Sequence, residues 1–96
     1  MDEVKTMKRM LFPPGQVVAT PGALGLADRG ANLLEYLARH LHGDWGDMVE
    51  ADKEENDYSV SRHLRIFSAY DTPFGKLWLI TEADRSVTTF LLPDEY

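Results

Sequence analysis

The residues best suited to chemistry in this chain are carboxylates, and they are crowded into one stretch. Residues 42–58 read HGDWGDMVEADKEENDY; seven of these seventeen positions are Asp or Glu, and Lys53 alone opposes them. Clustered carboxylates can hold a cation, move protons, or present a negative surface to a basic partner. The cation reading fails on spacing. Residues 44–55, DWGDMVEADKEE, have the span of a calcium loop, with Asp first and Glu last. Gly46 and Met48 then stand where side-chain ligands belong, and Val49 stands where glycine is required. Neither a metal nor a cofactor is expected.

A helix over 48–58 would order the acids. At about 100° per residue, Asp47, Glu50, Glu54 and Asp57 fall within about 80° of one another, in a stripe about 15 Å long. Asp47 and Glu50 have the spacing of a capping box. Each gains about 0.3–1 kcal/mol from the free N–H groups and dipole at a helix start. Glu54, Glu55 and Asp57 lie toward the other end and gain nothing. Glu50–Glu54 and Glu54–Asp57 are also like-charge neighbours. Local helix physics thus accounts for the first acids and not for the last. Two readings follow. One is a solvated, solubilising face. The other is a surface for a basic protein: carboxylates spaced along a rigid helix resemble a line of phosphates, so a nucleic-acid-binding partner would be occupied by a DNA mimic. Its residues would be Asp47, Glu50, Glu54 and Asp57. Trp45 would serve as an aromatic anchor or pack under the Gly43–Gly46 turn.

The other chemical groups are sparse. His40 and His42 splay by about 200° on a helix, the wrong spacing for one metal. His40 reads as an edge-of-core or C-terminal-turn residue. There is no Cys nucleophile, phosphate loop or nucleophile elbow. Helices followed by an antiparallel sheet also describe RelE-like and barnase-like ribonucleases. In that alternative His40, His63, Arg62, Arg65 and Arg85 would supply acid–base and phosphate-binding groups.

Bulk properties narrow the choice. The 96 residues carry a net charge of −6. Residues 42–58 supply all of it, seven acids against one Lys; the rest holds nine acids and nine bases. Such a chain is disfavoured for direct contact with nucleic acid or anionic lipid. No apolar run approaches the ~20 residues that span a bilayer. The opening MDEVKTMKRM has no apolar run after its charges, so no secretory leader is expected. Absence of Cys suits a reducing cytoplasm.

The elements follow from local signals. Residues 1–11 read as a flexible arm and 12–96 as one domain. Pro13, Pro14 and Gly15 mark a turn, and 16–19 a short edge strand. Thr20-Pro21 starts a helix that runs to about Asp28, with Gly30 ending it. Residues 31–42 form the clearest helix, with Leu33, Leu34, Leu37, Ala38 and Leu41 on one face and Gly43 as its stop. From Val60 the period becomes two. DTPFGK (71–76) turns, LWLIT (77–81) is a strand, EADRS (82–86) a hairpin loop and VTTFLL (87–92) a strand. The fold class is α+β: N-terminal helices on a three- or four-stranded antiparallel sheet whose C-terminal part is a β-meander.

Four blocks also resemble a known group: PPGQVVATPGAL (13–24), ARHLHGDWGD (38–47), DKEEND (52–57) and LWLITEADRSVTTFLLPDEY (77–96). Together they resemble a family of small bacterial proteins often labelled plasmid-related, some with a restriction-subunit label. The resemblance implies a bacterial or phage-borne origin on mobile DNA, carries over no catalytic residue, and suits an inhibitor of host defence. The expectation is thus a non-enzymatic acidic binding protein, monomer or homodimer. The alternatives are the ribonuclease and a self-assembling module that pairs through an edge strand such as 87–92.

Overall fold

A computed structural model describes residues 9–96. The expected arm lies mostly outside the described residues. Its last three positions are exposed, and Leu11 N–H already donates to Leu41 O (2.8 Å).

The chain runs β1 (Gln16–Ala19), α1 (Pro21–Asp28), α2 (Leu33–Leu41), α3 (Glu50–Arg62), β2 (Ile66–Thr72), β3 (Gly75–Thr81) and β4 (Val87–Leu91), then a 3-10 turn at Pro93–Glu95. This is the α+β class. The sheet order is β1-β4-β3-β2. β2, β3 and β4 form the expected meander; β1 adds to β4 in parallel, so the sheet is mixed. The three helices carry the chain from β1 to β2 at the opposite edge, and the meander then brings β4 back beside β1, parallel to it. β4 therefore lies inside the sheet. Pairing through 87–92 as a free edge is corrected: β1 and β2 are the edges.

Alternation assigns the faces. Ile66, Ser68, Tyr70, Leu77, Leu79, Thr81, Thr88 and Phe90 turn to one side and are all buried. α1 and α2 cover them. Ala23 and Leu26 of α1 and Tyr36 of α2 join Tyr70, Leu77, Leu79 and Phe90 in the main apolar cluster. Ile66 joins Phe12, Leu41 and Trp45 in a second cluster, against which Val60 of α3 packs.

Thr20 caps α1 as its sequence suggests, accepting from Ala23 N–H (3.2 Å). α1 has no acid in its own first turn; Glu95 supplies one from the far end of the chain. Its carboxylate accepts Gly22 N–H (2.9 Å), Leu92 N–H (2.8 Å) and the Thr20 hydroxyl. The Thr20 hydroxyl, with those N–H groups, lowers the Glu95 carboxyl below its ordinary range. In α2 the buried face is rotated from expectation. Tyr36, His40 and Leu41 point inward, whereas Leu34 is 71% exposed and Ala38 is exposed. The aromatic groups displace the smaller aliphatics because they fill more of the space beneath the helix.

Val60–Arg62 belong to the last turn of α3 rather than to a strand. The helix starts later and ends later than its sequence suggests because its inward residues are Asn56 and Ser59, which give no apolar signal. Its end is fixed from outside. Arg85, buried on the β3–β4 loop, donates to Ser59 O (3.1 Å) and Leu64 O (2.7 Å) and to two carbonyls of its own loop. A guanidinium at the C-terminal end of a helix is favourable in both charge and hydrogen bonding, here in addition to the N–H that Ser59 O accepts from Leu64.

His40 is buried at the seam between the two clusters. Nδ1 meets Ser68 Oγ at 2.5 Å and Nε2 meets Thr81 Oγ1 at 2.9 Å. Thr81 meets Thr88 (2.6 Å), and Thr88 donates to Pro14 O (2.8 Å). A carbonyl only accepts, so the proton order is determined from that end. Thr88 gives its proton to Pro14, Thr81 to Thr88, His40 Nε2–H to Thr81, and Ser68 to Nδ1. One neutral tautomer satisfies every group, and burial lowers the His40 pKa to about 3. An unfolded histidine titrates near 6.5, so below that pH the unfolded chain binds the extra proton. Stability is fully present above about 6.5 and falls by about 1.4 kcal/mol per pH unit toward about 3. Urea titrations at pH 7.0 and 5.0 should show a loss of roughly 2 kcal/mol that is absent in His40→Gln. An equal acid loss in both proteins would exclude the imidazole as its source.

Candidate interaction surface

The acidic stretch is built around the outer edge of β2. An open strand edge exposes unpaired N–H and C=O groups; here those of Phe67 and Ala69 and the Asp71 N–H are met by specific partners. Ala69 N–H donates to Trp45 O (3.2 Å), and Asp47 N–H donates to Ala69 O (2.7 Å), a short parallel bridge at Gly46. Asp71 N–H donates to the Asp47 carboxylate (2.8 Å). Farther down the edge, the Asn56 side-chain amide pairs with Phe67 both ways, donating to its carbonyl at 2.5 Å and accepting its N–H at 3.2 Å. Gly46 has φ +87°, and a Cβ there would lie 2.1 Å from Ala69 O. Only glycine permits so close an approach.

This construction redistributes the sequence-derived site. Asp47 lies outside α3, whose N-cap is Val49 with no side-chain cap bond, so the capping box does not form. Strand-edge bonding holds Asp47 instead. Trp45 is 2% exposed and packs with Phe12, Leu41 and Ile66, beneath the turn rather than outside it. Its indole N–H donates to Asp57 Oδ1 (2.9 Å). Asp44 is bound by Arg39, with Nε to Oδ2 at 2.7 Å and Nη2 to Oδ1 at 3.3 Å, and this contact holds its carboxyl below the usual range. Lys53 is half-buried and adds the weakest contribution to the same effect on Asp44.

Four acids remain. Glu50, Asp52, Glu54 and Glu55 are exposed, and their carboxylates form no hydrogen bond or ion pair among the described residues. Glu50 and Asp52 lie in the first turn and gain from it. Glu54 and Glu55 sit in mid-helix, since α3 runs on to Arg62. On the outward side, Glu50, Glu54 and Tyr58 recur at i, i+4 and i+8, the neighbouring positions of one helical line. Tyr58 is 50% exposed, with the Arg62 guanidinium 4.8 Å from its ring centre. Sequence reading passed over Tyr58; its four-residue spacing from Glu54 was the signal that marked it.

The ribonuclease residues do not form a comparable site. His40 and Arg85 are interior groups saturated by their own chain. His63 is the exposed left-handed C-cap of α3 (φ 56°). Arg65 donates to the Tyr96 hydroxyl (2.7 Å) and faces Glu82 at 3.6 Å. Among the described residues, no helix is long and apolar enough to cross a membrane.

The two kinds of acid separate by stability. Asp57→Ala strips a buried indole N–H of its acceptor and should cost about 1–3 kcal/mol, with the Trp45 emission shifted. Glu54→Lys removes a like-charge neighbour and should leave stability within about 0.5 kcal/mol. Paired chemical denaturation curves read both; a large loss in Glu54→Lys would make that carboxylate structural. No family model matches the chain, and no curated protein and no solved structure matches it.

Proposed function

We propose that the protein is a non-enzymatic binding module that presents the outward face of α3 to a basic surface on another protein, of the kind that otherwise holds nucleic acid. One observation carries this reading. Glu50, Glu54 and Glu55 are exposed acids without a partner among the described residues, on a helix whose Lys53 forms no ion pair with any of them. Two of the three bring their own helix no dipole benefit, and Glu50–Glu54 repel. The interface centres on Glu50, Glu54 and Tyr58. A half-exposed tyrosine beside carboxylates provides an apolar anchor that a bare acidic face lacks. Asp47, held at the β2 edge, and Trp45, whose indole N–H donates to Asp57 of α3, tie that helix to the sheet.

Such an interface is steered by charge, so it weakens with salt and competes with polyanions. Immobilised wild-type protein should capture nucleic-acid-binding proteins that elute with 0.5 M salt and with added duplex DNA. Glu50→Lys/Glu54→Lys should lose the capture at least tenfold, and Tyr58→Ala should weaken it with little change in salt dependence. Equal capture by wild type and the double variant, or elution insensitive to both salt and DNA, would defeat the proposal.

A further inference from the structure

The sheet has two edges, and the chain treats them differently. At the β2 edge, residues 45–47 and Asn56 meet the backbone groups of Phe67 and Ala69 and the Asp71 N–H. At the β1 edge, no strand or bridge pairs with the outer side among the described residues. The parallel ladder fixes where its backbone groups point. Gln16 N–H donates to Ser86 O (2.9 Å) and Thr20 N–H to Phe90 O (3.0 Å). Strand residues alternate, so Val18 also turns to β4, while Val17 and Ala19 turn both N–H and C=O to the open edge. With both ends of β1 tied down, these four groups are held in line.

Proteins blunt such an edge with charge, proline or a bulge. Gln16–Ala19 (QVVA) has no charge and no proline. Its ladder runs unbroken from Gln16 opposite Val87 to Ala19 opposite Phe90. Val17 and Val18 are 41% and 37% exposed.

We propose that a second copy of this chain pairs with β1, the two strands antiparallel about a two-fold axis through Val18. In that register Val17 opposes Ala19 of the second copy, and Ala19 opposes Val17. Each pair exchanges two N–H···O=C bonds, so every open group on both edges is satisfied. Val18 meets its own counterpart at the non-hydrogen-bonded position, where side chains approach most closely. Opposed residues share a face, so both helix layers lie on one side of the joined sheet. Val17 faces that side, as its neighbour Thr88 does, and Val18 faces the other. The contact therefore covers one exposed valine on each face.

Charge suits this edge. Residues 42–58 hold the whole net charge of −6, and α3 stands at the β2 edge, the far side of the sheet. At about 4.8 Å per strand, the two β2 edges of an eight-stranded sheet stand roughly 34 Å apart, against a Debye length of about 8 Å. Because the β2 edge is closed, the assembly ends at two chains. Pro14 and Pro21 limit the pairing to this short span, so the dimer is weak and concentration-dependent. It leaves the outward face of α3 free and stands or falls independently of the function proposed above.

Sedimentation equilibrium from about 10 µM to about 1 mM tests it. Wild type should pass from one to two chain masses, and amide exchange at Val17 and Ala19 should slow as it does. Val17→Pro removes an N–H that β4 does not use, so the fold is kept, and should weaken association at least tenfold. Val18→Lys and Val18→Glu each place like charges on the axis and should be monomeric alone. Mixed in equal amounts they should associate, because opposite charges then face each other. A wild type that stays monomeric at 1 mM overturns the proposal. So does a dimer whose Val17 and Ala19 amides exchange as fast as in the monomer, or one indifferent to Val17→Pro.

Discussion

Most of this fold hangs on one buried imidazole. His40 joins α2 to Ser68 on β2 and Thr81 on β3, and through Thr88 on β4 the same line reaches Pro14 ahead of β1. Three polar residues at inward sheet positions would each cost free energy if left unpaired. Satisfied, they make one arrangement of helix over sheet far better than any slipped one, because a shift of one residue breaks every member. The line also explains why the interior has two apolar clusters. Phe12 and Trp45 stand nearly perpendicular to the imidazole, with ring centres 5.3 and 5.9 Å away, so the smaller cluster seals the polar seam from water.

The second constraint is the β2 edge, and it gives the acidic stretch a double purpose. A meander ending in a bare seven-residue strand invites pairing with other chains. Residues 45–47 and Asn56 close that edge, and doing so requires a carboxylate at position 47, an acceptor at position 57 for the Trp45 indole, and a turn held by Asp44 and Arg39. Three of the seven acids are thereby structural. What the edge does not require is Glu54 and Glu55. The functional reading rests on that residue of unexplained charge, which is smaller than the stretch first suggests and more sharply located.

Much of the architecture was legible because local chemistry decides it. Thr20-Pro21 starts α1, Gly43 follows the end of α2, and β-branched and aromatic runs mark β3 and β4. The meander follows from short loops. What could not be read depends on residues far apart in sequence. Gln16 pairs with Val87, and Glu95 caps α1 across seventy-three positions. The length of α3 was hidden for another reason. Its buried side carries Asn56 and Ser59, whose burial makes sense only once Phe67 and Arg85 stand opposite. Hydrophobic periodicity cannot report a helix that is held by hydrogen bonds. The candidate site was half legible for the same reason: a carboxylate count cannot distinguish Asp57, committed to an indole, from Glu54, committed to nothing among the described residues.

The molecule thus separates its surfaces by charge. The outward sheet face balances its ions in pairs and is aromatic; α3 concentrates free carboxylates beside the closed edge. Asn56 links the two, since it holds Phe67, a wall of the aromatic hollow, from the buried side of the acidic helix. The helix that carries the free carboxylates is tied to the sheet by Asn56 at Phe67, by the Trp45 indole at Asp57 and by Arg85 at Ser59, so the groups that hold the fold also set the geometry in which the free charges act.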